Sequence, residues 1–266
     1  MKQRKGKFTL GMKIASILSC IALVSVGFAS WWIIRLPSPE TKGGSFEVYS
    51  VDEKKINYTD VKFVTEAGAE DTTPKIIFGY KADDSVTAPW LGYSTTGADK
   101  MAAENLSAIL QFKISLEKPV SGDKISNYMQ KINIALTIPA TYKSLLTTGT
   151  AGYVAAPKMS YRNGSTGDWV SLNATVNDDV YSVVIDAPQA TEQTIQVKFE
   201  FDWAYYHNNA VQNENPYVYF NKIQGGYTPE LAKDAMDVLE KVETIGSATF
   251  SVKLSSTPEG PAKTEQ

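Results

Sequence analysis

Strict alternation of apolar and polar residues is the dominant pattern along this chain. It is clearest in AILQFKISLE (108–117), INIALTIP (132–139) and TIQVKFEFDW (194–203). In the first segment, one face would carry Ala108, Leu110, Phe112, Ile114 and Leu116. A period of two residues is typical of a half-buried antiparallel strand. The sequence therefore predicts long strands at these three places.

Shorter segments with a similar character surround them. They are SFEVYSV, DVKFV, KIIFGY, KMSYR, DWVSL, VYSVVID and, last, ATFSVKL. Turn-forming sequences such as RNGSTGD and VNDD separate them. About ten strands with such turns predict an all-β fold, a jelly roll or β-sandwich.

The strongest helical pattern lies in YTPELAKDAMDVLEKVETIG (227–246). Thr228 would cap the helix, Pro229 suits its first position and Gly246 would end it. The predicted apolar stripe consists of Leu231, Ala235, Val238, Leu239 and Val242. We therefore expect a helical insertion at about 226–245, immediately before the last strand.

The N-terminus indicates export. Five basic residues and no acidic ones precede an uncharged run at 14–34, which we expect to form a hydrophobic helix. Its twenty-one residues would span roughly 30 Å as a helix, enough for a membrane anchor. Alternatively, Gly27 and Ala29 suit a signal peptidase that cuts between Ala29 and Ser30. The sequence leaves both interpretations open.

The domain layout follows from these patterns. Residues 1–35 form a signal peptide or membrane anchor, and 36–44 form a Pro/Gly-rich linker. The β-domain occupies 45–254, and the polar tail 255–266 has no apolar period and is predicted to be disordered. We expect the body to be anchored facing outward, or to be secreted or held at the cell surface after cleavage.

Charge and cysteine content exclude several function classes. Without the five basic residues of the leader, 21 Lys and Arg face 29 Asp and Glu, a net charge of −8. Such a body would repel phosphate backbones, so we expect no nucleic-acid partner. The single cysteine, Cys20, lies in the hydrophobic run, so the exported body has neither a disulfide nor a cysteine metal site.

The sequence offers no recognisable catalytic residue, metal site or cofactor motif. His207 is the only histidine, and it falls in a segment that we interpret as an exposed loop. Acidic residues cluster at Glu66, Glu70 and Asp71, at Asp83 and Asp84, and at Asp178 and Asp179. All three clusters fall in turn-like sequence, which favours solvated turns. A secreted hydrolase with paired carboxylates, or a calcium site, is the less favoured alternative.

An aromatic and amide-rich segment follows the third long strand. The candidate ligand-binding surface consists of Trp203, Tyr205, Tyr206, Tyr217 and Tyr219. Such rings would stack on sugars while neighbouring asparagines hydrogen-bond to hydroxyl groups, although aromatics at a strand end also pack a loop. Trp90 and Trp169 carry the same two interpretations.

Three features of the chain are shared with a known family. They are the leader GFAS followed by aromatics, the strand SFEVYSV soon after it and the strand TIQVKFEFDW near the end. In these features the chain resembles the camelysin and TasA type of Gram-positive surface and biofilm-matrix proteins. The resemblance implies a jelly-roll subunit that is exported by a dedicated signal peptidase. Some members of that group polymerise when the N-terminal strand of one subunit completes the sheet of the next, so the resemblance suggests the same assembly for this chain. The insertion at 208–246 and the WWII after the leader depart from that family.

The candidate donor strand lies in SWWIIRL (30–36), with Trp31, Trp32, Ile33 and Ile34 at its centre. Once released from lipid, this aromatic and β-branched segment would seek an edge strand. We therefore expect a non-enzymatic structural subunit of a cell surface or matrix, with copies of itself or related subunits as partners. The alternative is a surface adhesion module that binds glycans. An uncleaved leader would make the membrane a further partner.

Overall fold

A computed structural model describes residues 34–35, 45–50, 56–79, 103–222, 229–243, 245 and 248–256. The predicted cleavage site at Ala29 and Ser30, and the donor-strand residues Trp31, Trp32 and Ile33, lie outside these residues. Within the part described, no helix combines the length and the apolar character needed to cross a membrane.

Thirteen strands and three α-helices are described in this part of the chain. The strands are β1 (Ile34–Arg35), β2 (Ser45–Ser50), β3 (Ile56–Val64), β4 (Ser107–Leu116), β5 (Lys131–Thr137), β6 (Lys158–Asn163), β7 (Val170–Leu172), β8 (Thr175–Asn177), β9 (Val180–Asp186), β10 (Glu192–Glu200), β11 (Tyr205–His207), β12 (Ala210–Gln212) and β13 (Thr249–Ser256). The helices are α1 (Ala140–Lys143), α2 (Pro216–Lys222) and α3 (Pro229–Glu243), and Ile125–Asn127 forms a short 3₁₀ helix.

Two sheets form a β-sandwich. One has the strand order β1-β2-β13-β5-β9-β8, and the other has the order β3-β4-β10-β6-β7. Neighbouring strands are antiparallel except β2 and β13, which run parallel, with Phe46 opposite Phe250. The first and last strands of the domain therefore lie side by side in one sheet. This confirms the predicted all-β class.

An aromatic cluster joins the two sheets. Phe46 of β2 is fully buried, and its ring centroid lies 5.2 Å from that of Phe250 in the same sheet. Across the sandwich, the centroid lies 5.1 Å from Phe63 of β3 and 5.9 Å from Phe199 of β10. The alternating residues of β4, β5 and β10 complete this core, as their period of two predicts. The apolar faces of the two sheets therefore pack on each other.

The helical insertion lies between β12 and β13, as predicted. Helix α3 begins at Pro229, and Ala235, Val238, Leu239 and Val242 are buried in the core, with Leu231 packed at its margin. The capping and terminating roles of Thr228 and Gly246 fall outside the described residues. Before it, β11 and β12 form a hairpin whose turn residues, Asn208 and Asn209, both adopt left-handed φ angles of 50° and 60°. Asparagine tolerates that conformation well.

The short elements differ from the prediction. In the described part of KIIFGY, residues 75–79, Ile76 and Ile77 are isolated-bridge residues rather than part of a strand, and Ile77 pairs with Asn105. Conversely, β8, β11 and β12 have three residues each and carry too little periodicity to be recognised.

Candidate functional site

The N-terminal strand β1 occupies an edge of the six-stranded sheet. Ile34 pairs with Val48 and Arg35 with Glu47, antiparallel to β2. The other side of β2 pairs with β13. Of the four donor-strand residues predicted at the centre of SWWIIRL, Ile34 is the one within the described residues, and it pairs with a strand of its own chain. The segment therefore has an intramolecular partner, in addition to any that another subunit would offer.

Three of the five residues predicted to line a ligand-binding surface are buried instead. Trp203 is 2 % exposed, Tyr205 1 % and Tyr217 2 %. The ring of Trp203 contacts Phe78 edge-on, with centroids 4.9 Å apart, and Tyr205 stacks on Phe220. Trp203 thus packs on the segment that follows β3, and Tyr205 packs on helix α2. The prediction of an exposed surface is therefore wrong for these three residues; of the other two, Tyr206 is exposed and Tyr219 is half-buried.

A buried polar network explains how these aromatics are fixed. The indole N–H of Trp203 donates to Glu104 Oε1 at 2.6 Å, and Asn215 Nδ2 donates to the same oxygen at 2.8 Å. Asn215 Nδ2 also donates to the carbonyl of Gly79, and its Oδ1 accepts the backbone N–H of Tyr217 at 2.9 Å. Asn215 thereby caps α2, with Pro216 at the first helical position. This arrangement ties the insertion to the sandwich.

His207 is packed rather than displayed on an exposed loop. Its ring lies edge-on to Phe220, with centroids 4.8 Å apart. Its Nδ1 is 3.1 Å from the hydroxyl of Tyr219, and its Nε2 is 3.6 Å from Asp234 Oδ2 of α3. No nucleophilic serine or cysteine is among these contacts of His207. The ring therefore connects the β11–β12 hairpin to the two helices.

The acidic clusters do not converge in the described structure. Glu66, Glu70 and Asp71 follow β3, whereas Asp178 and Asp179 form the turn between β8 and β9 in the other sheet. Glu66 pairs with Lys198, and Asp178 pairs with Lys143. Among the residues described, no group of three or more His, Cys, Asp or Glu is placed to hold a metal ion. Asp83 and Asp84 lie outside this part.

A row of polar side chains crosses the outer face of the five-stranded sheet. The register aligns Lys62 of β3 with Gln111 of β4, Gln111 with Gln196 of β10, and Gln196 with Arg162 of β6. Arg162 Nε donates to Gln196 Oε1 at 2.8 Å, and Gln196 Nε2 donates to Gln111 Oε1 at 2.8 Å. Gln196 is fully buried although it faces outward from the core.

Trp169, immediately before β7, completes this row at its far end. The guanidinium carbon of Arg162 lies 4.3 Å from the centroid of the Trp169 ring, a cation–π contact. Trp169 is half-buried, so part of its ring stays open to solvent. We call Lys62, Gln111, Gln196, Arg162 and Trp169 the polar row.

Lys198 lies beside the polar row. Its Nζ is 3.0 Å from Glu66 Oε1, 3.1 Å from Glu200 Oε1 and 5.7 Å from the Trp169 ring centroid. Burial disfavours its charged form, but the hydrogen bonds to the two carboxylates outweigh that effect and raise the pKa of Lys198. Ser160, which pairs with Lys198 in register, has a buried hydroxyl without a hydrogen-bond partner in the described part of the chain.

Of the polar row, the sequence singles out only Trp169 as a candidate ligand-binding residue. The other members are ordinary polar positions in alternating strands, and nothing local reveals that the register aligns them. No known family model matches this chain, and no curated protein matches it.

Proposed function

We propose that this chain is an exported, non-enzymatic structural subunit of a cell surface or extracellular matrix, and that its N-terminal strand joins subunits. The observation that supports this proposal is the place of β1, a two-residue strand at the edge of the six-stranded sheet. It lies shortly after the predicted cleavage site between Ala29 and Ser30, so processing there would decide whether the segment is free to move.

The free energy of exchange is expected to be small. Without β1, strand β2 would expose a row of unpaired backbone groups, which is a template for another strand. A strand from a second subunit would restore the same hydrogen bonds that β1 makes within its own chain. The hydrogen bonds lost within one subunit and those gained between subunits therefore nearly balance in free energy. The protein concentration then decides whether β1 pairs within its own chain or with a neighbour.

The length of the linker sets how far β1 can reach from its own domain. Nine residues, 36–44, separate β1 from β2, and fully extended they reach about 30 Å. A subunit that passes its β1 to a neighbour while accepting another forms a head-to-tail contact. Such a contact does not close on itself unless the rotation permits it, so fibres are the expected product. The resemblance to camelysin and TasA proteins points in the same direction.

Disulfide trapping tests this proposal. In a chain with Cys20 replaced by serine, mixing the single variants Ile34→Cys and Val48→Cys should give disulfide-linked dimers, because these residues are register partners. The double variant should give a ladder of covalent multimers. As a matched control, Ile34→Cys with Glu47→Cys should not cross-link, because neighbouring residues of a strand face opposite sides.

Internal cross-links in the double variant, with no dimer in the mixture, would contradict strand exchange. Deletion of residues 30–36 gives an independent test. Fibres that persist in electron micrographs after this deletion would overturn the proposed assembly, whereas their loss would support it.

A hydrolase is the weaker candidate because the described acidic clusters lie on turns of different sheets, and Glu66 and Asp178 each pair with a lysine. The predicted glycan-binding surface at Trp203 to Tyr219 is weakened because its largest rings are buried. If the leader is retained, the same β-domain would act as an anchored surface module.

A further inference from the structure

We propose that the polar row on the outer face of the five-stranded sheet binds a carboxylate-bearing polysaccharide. This inference is independent of strand exchange, which uses the edge of the other sheet. It rests on the hydrogen-bonding groups that the row leaves unused, on the spacing of its cations and on the aromatic ring at its end.

The unused groups of the row are donors. The hydrogen bonds run in one direction, from Arg162 through Gln196 to Gln111. In the described part of the chain, the two terminal nitrogens of Arg162 and the amide nitrogen of Gln111 have no acceptor, and Lys62 Nζ has no partner. A ligand that complements them must supply acceptors, preferably anionic ones, because charge-assisted hydrogen bonds are the stronger kind.

The spacing indicates an extended ligand. Three strand-to-strand steps separate Lys62 from Arg162, or about 14 Å at the usual distance between neighbouring strands. A single small anion would contact one end of the row only. A polymer with one carboxylate on each sugar ring would reach both cations and lie across the glutamines between them.

Three features favour a glycan over other polyanions. The central strands β4, β10 and β6 are paired on both sides, so a peptide cannot add to them as an extra strand. The part of the half-buried Trp169 ring that stays open to solvent can contact the C–H groups of a sugar ring. Nucleic acid carries a phosphate charge per about 1.7 Å of duplex axis, which the acidic body would repel more strongly than sparsely placed carboxylates.

The site is preorganised by its own contacts. Gln196 is buried and holds both neighbours by hydrogen bonds, and the Trp169 ring fixes the plane of the Arg162 guanidinium. A planar guanidinium held in one orientation loses little freedom when it binds a carboxylate in a bidentate manner. Lys198 adds a second cation near Trp169, although Glu66 and Glu200 already neutralise it.

Calorimetry of the full chain with a hexamer of galacturonic acid tests the proposal. Its methyl ester, which has the same sugars without the charge, should bind at least tenfold more weakly. Hexaglutamate, the peptide counterpart, should also bind at least tenfold more weakly. Equal affinity for the methyl ester would overturn the role of the carboxylates, and equal or tighter binding of hexaglutamate would overturn the choice of a glycan.

Variants locate the site. Arg162→Met and Trp169→Ala should each reduce affinity for the hexamer about tenfold or more. Lys158→Met is the matched control, since Lys158 lies on the same strand but pairs with Asp202 away from the row, and its affinity should stay within twofold. Because loss of Arg162 affects a buried glutamine, Lys62→Gln gives a second test that leaves the network intact. It should reduce affinity severalfold, and unchanged binding in both Lys62→Gln and Arg162→Met would overturn the proposal.

Discussion

Trp203 donates its indole N–H to Glu104 Oε1 at 2.6 Å across 99 positions of sequence. The bond joins the end of the strongest alternating segment to the residues that precede β4. Its acceptor is shared with Asn215, so one carboxylate holds both the tryptophan and the start of the helical insertion. Trp203 and Asn215, whose residue types suggest ligand binding, instead hold the helical insertion against the sandwich.

Trp203→Phe tests this assignment. The variant removes the indole donor while keeping an aromatic ring, and the Glu104 carboxylate loses one of its partners. We expect the free energy of unfolding to fall by about 1–3 kcal/mol from the lost hydrogen bond alone. Urea denaturation monitored by circular dichroism measures it. Tyr206→Phe, at an exposed position nearby, should change the value by less than about 0.5 kcal/mol, and a similar loss in both variants would contradict the assignment.

Asn215 provides a second prediction. Asn215→Ala removes the α2 cap, which typically costs about 0.5–2 kcal/mol of unfolding free energy, together with the donors to Glu104 and Gly79. Aspartate is an equally good cap, but it would place a second carboxylate against Glu104. We therefore expect Asn215→Asp at pH 7 to be at least as unstable as Asn215→Ala, as measured by urea denaturation. An aspartate variant as stable as the parent chain would show that only the cap matters.

The sequence predicts the long strands because their apolar side chains must all reach one core, which imposes a period of two. The same period places Gln196, which lies between the core residues Ile195 and Val197, on the outward face. It cannot show that Gln196 is buried there, since its partners Gln111 and Arg162 come from strands 85 and 34 positions away. The same limit applies to Trp203, because an aromatic residue after a strand has the same local sequence whether it is exposed or packed. Register and long-range partners therefore determine the candidate site.

Gly152 is a third point at which a substitution has a defined outcome. Its φ is +116°, and an added Cβ would lie 2.3 Å from the Cα of Thr147, a backbone atom that cannot move aside cheaply. Gly68 has a similar left-handed φ of +81° but nothing within 4 Å of an added Cβ.

Gly68→Ala should therefore lower the free energy of unfolding by about 1–2 kcal/mol, because alanine is strained in the left-handed backbone conformation. Gly152→Ala should cost about 2–5 kcal/mol, because overpacking typically adds about 1–3 kcal/mol to that strain. Thermal unfolding of the two variants compares them directly. Equal losses of stability would mean that the turn at Gly152 rearranges to relieve the contact with Thr147.

The stability of the fold should fall in alkaline solution through Tyr142. This side chain is fully buried beside the aromatic cluster, and its hydroxyl donates to the carbonyl of Ala155 at 2.7 Å. Burial raises the pKa of Tyr142 well above its usual value, and the negative charges of Tyr181 and Asp202 add to the effect. Above about pH 10, where an unfolded tyrosine loses its proton, the folded chain binds more protons than the unfolded one. Stability must then decrease as pH rises.

Tyr142→Phe should show two opposite effects in urea titrations between pH 7 and pH 11.5. At pH 7 the loss of the hydrogen bond should lower the free energy of unfolding by about 1 kcal/mol. Above pH 10 the variant should lose stability less steeply than the parent chain, because one group that titrates only on unfolding has gone. Val154→Ala opens a cavity at a buried site without removing a titratable group. Its free energy of unfolding should therefore change with pH in parallel with that of the parent chain. A Tyr142→Phe curve that also runs parallel would mean that the hydroxyl reaches solvent before the fold is lost.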